Sequence, residues 1–348
     1  MAQTVSIGRL FDIRVGIHIS WLIIYALATW SIASSLTPMS LGVGLAIGAG
    51  CALLLFASVI VHEFAHALVA RRYGVRTSGI TLFIFGGVAT IEREPPTPAA
   101  EIVIALAGPA ASLALCAIAV GAFKVAGALP DSGSANIITL VLEYIAVANG
   151  MLGAFNLIPA FPMDGGRVLR AVLWQRGGSQ NQATATAALV GMAFACLIAL
   201  AGISVMLSTH AWQYLWNVVL GVFLVRATRA TYRQARELVR LERVLVGDIM
   251  ETDPRTMQVS NALSGVECEG DTTVIEDGNV VGVLSAREHR FIPLGALPAL
   301  TPSSTGIEAA DAFHLCSLSC LPIVRDGRLL GVVERARIIQ LQSNKKAA

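Results

Sequence analysis

Long apolar stretches separated by short polar segments occupy the first two thirds of the chain. A helix that crosses a bilayer needs about 20 largely apolar residues, and the pattern contains several stretches of about this length. They are residues 16–35, 42–70, 99–126, 136–158, 184–208 and 211–226, the last being the weakest. The pattern predicts a polytopic α-helical membrane domain of about six transmembrane helices over residues 1–226.

The basic residues between these stretches predict how the helices are oriented. Arginines precede the first stretch and follow the second, fourth and sixth, whereas the loops near Thr37, Asp131 and Thr209 carry almost no positive charge apart from Lys124. Cytoplasmic loops of membrane proteins are enriched in Lys and Arg. We therefore expect a multi-pass protein with both termini in the cytoplasm.

Composition agrees with a membrane location. Of the 348 residues, 55% are hydrophobic and only 14% are charged, whereas a soluble domain carries about 25% charged residues. The formal net charge of +2 is too small to suggest nucleic acid as a partner. Among the six cysteines, Cys316 and Cys320 could face one another on a helix and bind a metal, but free thiols in a reducing compartment are the better interpretation.

Between the second and third stretches, Ile80–Glu92 consists of two β-branched and aromatic runs joined by Gly86 and Gly87. This pattern predicts a membrane-associated β-hairpin. Lipid offers no hydrogen-bond partners to its backbone, so the hairpin needs protein or a wet cavity around it. Two interpretations remain open, an interfacial loop and an edge strand that holds extended substrate by strand addition.

The last third of the chain has a different composition. Residues 227–246 are basic with a helical period, which predicts a connector helix along the membrane surface, although an ordinary solvated helix also fits. Residues 247–341 are polar enough to form a cytoplasmic α/β domain. Its predicted strands are Thr272–Ile275, Val280–Leu284, Leu321–Val324 and Leu329–Val333.

The cytoplasmic end of the second apolar stretch carries an HExxH motif, His62-Glu63-Phe64-Ala65-His66. Residues i and i+4 share one helix face, so both imidazoles can reach one zinc ion while Glu63 stays close to it. Polar residues at the end of an apolar helix are costly unless they are paired or bound to metal. The alternative is a hydrogen-bonded polar cluster in which Arg71 and Arg72 neutralise Glu63.

A catalytic zinc takes three protein ligands and leaves one position for water, so the motif requires a third ligand. By the predicted orientation, Asp164 lies on the same side as His62, within the segment 156–167, whose prolines interrupt the helix and whose paired glycines allow close backbone approach. Asp164 is therefore a candidate ligand, and the alternative is that it caps the next helix. Besides Glu63, the acidic residues in or near the membrane domain, from which a third ligand could come, are Asp12, Glu92, Glu94, Glu101, Asp131, Glu143 and Asp164.

The motif HEFAH, followed about a hundred residues later by NLIPAFPMDGGR, resembles the site-2 proteases, zinc metalloproteases that act inside membranes. The resemblance covers roughly residues 1–226, including the glycine pair of the hairpin and the stretch Gly108–Ser112. It implies one zinc ion per chain with Glu63 as the catalytic residue. The zinc ligands that it implies are His62, His66 and Asp164.

This resemblance also implies an intramembrane metalloendopeptidase in a bacterial or archaeal cell membrane, with the active site toward the cytoplasm. Its partners would be the lipid bilayer and a membrane-anchored, single-span regulatory protein as substrate. Zinc would activate water and polarise the scissile carbonyl, while Glu63 would move a proton from water to the leaving amine. Asn156 could stabilise the oxyanion or tie down the broken helix, and Gly86 and Gly87 are candidate substrate-positioning residues.

The last hundred residues resemble a degenerate pair of CBS repeats, on pieces that include Val246–Met250, Gly282–Ser285 and Leu321–Val324. CBS pairs often bind adenine nucleotides, and Glu288 could contact a ribose in one repeat. Arg337 stands near the matching place in the other repeat. The alternatives are a purely structural module and a homodimer contact.

Two functions of other classes remain open. A transporter or channel is one, because CBS domains also regulate transport proteins and polar residues within membranes mark ion pathways; no inverted repeat is apparent, which argues against it. The other is a non-cleaving factor that binds membrane proteins. The intact HExxH motif together with Asp164 argues against that function.

Overall fold

The computed structural model describes residues 4–36, 39–83, 86–128, 133–260, 270–288 and 290–343. The chain divides into two compact units, Met1–Tyr232 and Arg233–Ala348. The predicted loop positions Thr37 and Asp131 lie outside the described residues. In chain order the first unit contains β1 (Thr4–Leu10), β2 (Ile13–His18), α1 (Trp21–Ser35), α2 (Leu41–Arg72), β3 (Thr77–Phe83), β4 (Gly86–Ile91), α3 (Pro98–Ala126), α4 (Gly133–Asn156), α5 (Asp164–Gln175), α6 (Gln180–Thr209), a 3-10 turn (Trp212–Tyr214) and the start of α7 (Leu215–Arg243).

Four described helices are long and apolar enough to cross a membrane, namely α2, α3, α4 and α6. They match the second to fifth predicted stretches. The first stretch is divided, because residues up to His18 belong to β2 and the remaining helix α1 has 15 residues, fewer than the roughly 20 that a span needs. The sixth stretch runs as α7 directly into the predicted connector. The described residues therefore contain four helices that are both long and apolar enough to span a membrane, and the count of about six stays a prediction.

A four-stranded sheet of order β1-β2-β3-β4 accompanies these helices. Strands β2 and β3 are parallel, whereas the two outer pairs are antiparallel. Strands β3 and β4 occupy the segment predicted as a hairpin, but Gly86 and Gly87 open β4 instead of forming the turn, since Gly86 pairs with Phe83. The sequence-based prediction lacks β1 and β2, although the apolar side chains at every second position from Ile13 to Ile17 are typical of a strand.

One face of the sheet packs against the part of α2 that carries the HExxH motif. Ile13, Val15 and Ile80 of the sheet form a buried cluster with Phe64 and Ala67 of the helix. This contact therefore holds the motif in a defined place beside β3 and β4.

Residues 157–163 form a non-helical segment between α4 and α5, which we call the broken segment. Its approach to α5 depends on glycine. A Cβ at Gly165 would overlap carbonyl oxygens of the segment, and one at Gly166 would lie 2.5 Å from the backbone nitrogen of Phe161. The hydroxyl of Thr228 also donates a hydrogen bond of 2.9 Å to the Phe161 carbonyl. These contacts fix the position of Asp164, the first residue of α5, within the first unit.

After the end of α7, the elements of the second unit are α8 (Val246–Ile249), β5 (Thr256–Gln258), β6 (Thr272–Glu276), β7 (Asn279–Ser285), β8 (Arg290–Pro293), a 3-10 turn (Leu294–Ala296), α9 (Gly306–Leu315), β9 (Cys320–Arg325), β10 (Arg328–Glu334) and α10 (Arg335–Ser343). They are built around a six-stranded sheet of order β5-β6-β7-β10-β9, with β8 pairing to β7. Strands β6, β7, β9 and β10 confirm the four strands predicted from the sequence. A capping box formed by Thr305 and Glu308 starts helix α9.

Candidate metal centre

Two side chains of α2 and one that is about a hundred residues further along the sequence converge near the C-terminal end of α2. His62 and His66 lie one turn apart on α2, and Asp164 is the first residue of α5. The two Nε2 atoms are 3.2 Å apart, and the Asp164 Oδ2 atom lies 3.2 Å from that of His62 and 3.1 Å from that of His66. Both imidazoles are buried and the Asp164 side chain is 14% exposed. Within the described residues, this is the one group of three His, Cys, Asp or Glu side chains whose ligand atoms converge in this way.

The spacing of these atoms fits zinc. Tetrahedral zinc with ligands at about 2.0–2.1 Å holds neighbouring ligand atoms about 3.3 Å apart, and the three observed separations are 3.1–3.2 Å. Two imidazole nitrogens and one carboxylate oxygen are also a donor set that catalytic zinc sites use. A Cβ at Gly108 would lie 2.5 Å from His62 Nε2 and closer still to His66 Nε2. Glycine therefore leaves open the space on which the ligand atoms converge.

The outer nitrogen of each histidine has its own partner on α3. His66 Nδ1 lies 2.7 Å from the Ile104 carbonyl oxygen. Because a carbonyl only accepts hydrogen bonds, His66 Nδ1 donates to it, and Nε2 is the nitrogen directed at the cluster. His62 Nδ1 lies 2.9 Å from the buried Ser112 hydroxyl. Both rings are thus oriented with Nε2 toward the centre.

The third group, Asp164, is ionised at neutral pH. Burial alone would raise the pKa of Asp164, but hydrogen bonds with His62 and His66 outweigh burial and hold that pKa at about 2. A carboxylate must be ionised to act as a metal ligand, and metal binding releases the Nε2 protons that these hydrogen bonds need. The charge state of Asp164 therefore suits a cation site.

Glu63 lies beside the cluster and is not one of its three converging groups. Strand β4 passes close to its side chain, since a Cβ at Gly87 would lie 2.5 Å from Glu63 Cγ and 3.0 Å from its Oε1. The alternative in which Arg71 and Arg72 neutralise Glu63 receives no support. The Arg71 guanidinium donates to the Phe11 carbonyl at 3.4 Å, and the charged groups that act on Glu63 are His66, His62, Asp164 and Arg167. The Glu63 side chain thus lies against β4 and is adjacent in sequence to the candidate ligand His62.

The other predicted site residues have these positions. Asn156 ends α4, and its amide nitrogen donates to the Leu152 carbonyl at 3.0 Å, which engages one of its two amide protons. Gly86 begins β4 with φ of 123°, a backbone conformation that favours glycine. Glu288 lies in the second unit, where hydrogen bonds from Ser317 at 2.6 Å and from Arg290 at 2.5 Å lower its pKa.

The sequence-based prediction assigned no role to two residues that contact the cluster, Gly108 and Ser112. Both lie within the apolar helix α3, one turn apart, in a stretch that contributed to the family resemblance. A serine and a glycine on one face of a buried apolar helix were the available signal. Their contacts with His62 and His66 were not predictable, because β3 and β4 lie between α2 and α3 in the sequence and the sequence does not show how the two helices pack.

Comparison with known proteins agrees with this geometry. The model of peptidase family M50 matches residues 50–130 and 120–200, which include both the HExxH motif and the broken segment. The chain is 34% identical over 305 residues to Rip3 of Mycobacterium tuberculosis, covering 84% of this chain and 77% of that protein. This chain belongs to peptidase family M50. The resemblance to site-2 proteases is thereby confirmed.

The alignments with two further relatives of this M50 peptidase cover a larger share of the relative than the alignment with Rip3 does. This chain is 30% identical over 371 residues to sll0528 of Synechocystis, covering 98% of this chain and 96% of the relative. It is 33% identical over 308 residues to a protein of Methanocaldococcus jannaschii named zinc metalloprotease MJ0392, with 84% of each chain covered. The CBS domain model matches residues 295–344, so the M50 peptidase carries a CBS domain at its C-terminal end.

Proposed function

We propose that this M50 peptidase is an intramembrane zinc metalloendopeptidase that hydrolyses peptide bonds in or beside the transmembrane segments of membrane-anchored regulatory proteins. The convergence of His62, His66 and Asp164 at tetrahedral spacing carries the proposal. The four helices of spanning length support an integral membrane location. The name zinc metalloprotease given to a relative supports the choice of metal.

The residues around the centre suit amide hydrolysis. Zinc, when bound by His62, His66 and Asp164, would supply a Lewis acid that lowers the pKa of water and polarises a carbonyl. Glu63 would take a proton from the attacking water and deliver it to the leaving amine nitrogen. The remaining amide proton of Asn156 is available to donate to the oxyanion.

The metal centre on which this reaction depends is tested by the zinc content of the protein purified in detergent. Wild type is expected to hold about one zinc per chain. Asp164→Ala should lose most of it, because only two ligands remain, whereas Glu63→Gln should retain it. Glu143→Ala is the matched control, since Glu143 is an exposed acidic residue of α4. Wild type that holds no zinc and cannot be loaded with zinc would contradict the proposed function.

Strand β4 is the proposed site for the substrate backbone. It forms one edge of the sheet in the described structure, and its Gly87 lies against Glu63. A substrate segment that pairs with this edge would be extended and would pass next to the catalytic carboxylate. Gly86 and Gly87 would then position substrate by leaving room beside Glu63.

Strand addition is tested with peptide substrates that carry N-methyl groups on alternate backbone nitrogens. In a strand, every second N–H faces the partner strand, so one set of methyl groups removes the bonds to β4. Two lost bonds at about 1 kcal/mol each correspond to roughly a 30-fold rise in KM. The opposite set of alternate positions is the control, because those N–H groups face away from β4. Equal effects of the two sets would rule out strand addition.

The arrangement in the membrane follows from the distribution of arginines. We place both termini and the active site on the cytoplasmic side, with residues 1–226 as the protease domain, 227–246 as a connector and 247–341 as a CBS-like pair. Labelling of a cysteine introduced at Asp131 with an impermeant reagent tests the orientation in intact cells. Access only from the cytoplasmic side would contradict it.

The CBS domain supports regulation by a nucleotide. Glu288 is the proposed ribose contact, and binding would require exchange of its present bonds to Ser317 and Arg290. ATP is expected to raise the Tm of wild type, because a ligand that binds only the folded state stabilises it, and Glu288→Ala should remove this rise. Glu276→Ala, an exposed residue of the same sheet, should behave as wild type. If ATP does not raise the Tm of wild type, nucleotide binding is contradicted. The CBS domain would then be a structural module or a homodimer contact, and sedimentation would detect the homodimer.

A further inference from the structure

One face of α3 contacts two groups of the ligand cluster, His62 and His66, and also the helix that carries the third, although α3 supplies no ligand itself. Glu101, Ile104, Gly108 and Ser112 follow each other at spacings of three, four and four residues, which puts them on one helix face. All four are buried, and Glu101 has no exposed area at all. We call these four residues the α3 stripe.

Three members of the α3 stripe face the histidines. The Ile104 carbonyl orients His66 and the Ser112 hydroxyl orients His62, each through the outer ring nitrogen. Gly108 lies between them in sequence and leaves the space in front of both Nε2 atoms open. A displacement of α3 would therefore disturb both rings together.

The fourth member, Glu101, is linked to the helix that carries Asp164. Its Oε1 accepts a hydrogen bond of 2.7 Å from Arg170 Nε and a second bond from Arg170 Nη2. Arg167 Nε lies 3.9 Å from the same oxygen. Both arginines belong to α5, and Arg167 is three residues after Asp164, one turn further along the helix.

This link is directed specifically at α5. The other oxygen of Glu101, Oε2, has no hydrogen-bond partner in the described structure, so the hydrogen bonds and ion pairs of this carboxylate are all with arginines of α5. Helix α5 has only 12 residues and follows the broken segment, which gives it no continuous helical connection to α4. The buried ion pair with α3 is thus a further polar restraint on α5, in addition to the Thr228 hydrogen bond to the broken segment.

We propose that the α3 stripe positions the metal ligands, with Glu101 acting through Arg170 on Asp164 as Ser112 and the Ile104 carbonyl act on the two histidines. Glu101 and Ser112 are positioning residues and not ligands. Removal of such a partner of a metal ligand lowers metal affinity by about 10–100-fold. This inference rests on the proposed function, because it concerns the affinity for zinc.

The test measures zinc affinity by competition with a chelator in full-length protein purified in detergent. Ser112→Ala removes a direct partner of a ligand and is expected to raise the zinc dissociation constant by about 10–100-fold. Glu101→Gln and Arg170→Gln act through helix α5, so each is expected to raise it by about 10-fold, the lower end of that range. Glu101→Gln combined with Arg170→Gln should cost no more than either change alone, because both act through one contact. Cleavage activity lost in these variants should return at excess zinc.

Glu94→Gln is the matched control. Glu94 is 67% exposed and also pairs with Arg170, at 3.2 Å, so this change removes a charge from the same arginine without touching Glu101. It should leave zinc affinity within about twofold of wild type. An equal loss in Glu94→Gln and Glu101→Gln would contradict a specific role of the α3 stripe.

A merely structural role of the ion pair predicts a different result. The Tm of the metal-free protein would fall in Glu101→Gln, whereas the zinc affinity of the folded chain would stay unchanged, and this outcome overturns the inference. Ser112→Ala removes only one hydroxyl, so it gives a decisive measurement even if Glu101→Gln does not fold. Zinc-free wild type would refute the proposed function itself, whereas zinc bound equally tightly by wild type and Ser112→Ala would refute only the positioning role.

Discussion

Replacement of Glu63 by glutamine is expected to lower the rate of peptide hydrolysis by about 10²–10⁴-fold, with zinc still bound. Glutamine has nearly the same shape as glutamate, so it preserves the contact with Gly87 of β4. It cannot accept the proton of the attacking water at neutral pH. The measurement is cleavage of a single-span substrate in proteoliposomes, together with zinc per chain.

Glu143→Gln is the control for this change, since it makes the same chemical replacement at an exposed position of α4. It should cleave at the wild-type rate. Retention of activity within threefold of wild type in Glu63→Gln would exclude Glu63 as the proton carrier. Loss of zinc together with activity would instead make Glu63 a ligand.

Replacement of Gly108 by alanine is expected to prevent zinc binding and to abolish cleavage. The added Cβ would lie 2.5 Å from His62 Nε2 and closer to His66 Nε2, a separation that real Cβ atoms essentially never show. The rings cannot retreat easily, because their outer nitrogens are bonded to Ser112 and to the Ile104 carbonyl. One methyl group therefore occupies the space in which the metal would bind.

Gly121→Ala is the matched control in the same helix. A Cβ at Gly121 meets nothing within 4 Å, and alanine favours a helix by about 1 kcal/mol relative to glycine. This variant should bind zinc as wild type does, with an equal or higher Tm. Zinc content of Gly108→Ala equal to that of Gly121→Ala would show that the cluster relaxes around the methyl group.

Much of the candidate site was predictable because its signals are local. The spacing of His62 and His66 puts both on one face of any helix that contains them, and α2 is such a helix. The four helices of spanning length also match apolar stretches that are visible without a structure. In the second unit, alternation and turn residues located β6, β7, β9 and β10 correctly.

The structure differs from the sequence-based prediction where strand pairing determined the conformation of a segment. The stretch 16–35 is apolar enough for a span, but its first residues pair as β2 with β3, about 65 positions away. Gly86 and Gly87 have the composition of a turn, yet pairing with Phe83 and Leu82 draws them into β4. Hydrophobic pattern does not distinguish a strand from a helix over residues 16–18, since both can bury the same apolar residues. Glycine likewise fits both a turn and a strand beside a close neighbour.

The sequence by itself determined the class of protein, the apolar helices of spanning length, the HExxH face of α2 and a short set of acidic candidates for a third ligand. Only the tertiary structure decided that Asp164 reaches the two histidines, that Gly108 leaves the space open, and that Ser112 and Glu101 lie behind the ligands. The physical reason is that helical period and hydropathy are properties of neighbouring residues. The convergence of atoms that are 98 and 102 positions apart depends instead on how α2, α3 and α5 pack.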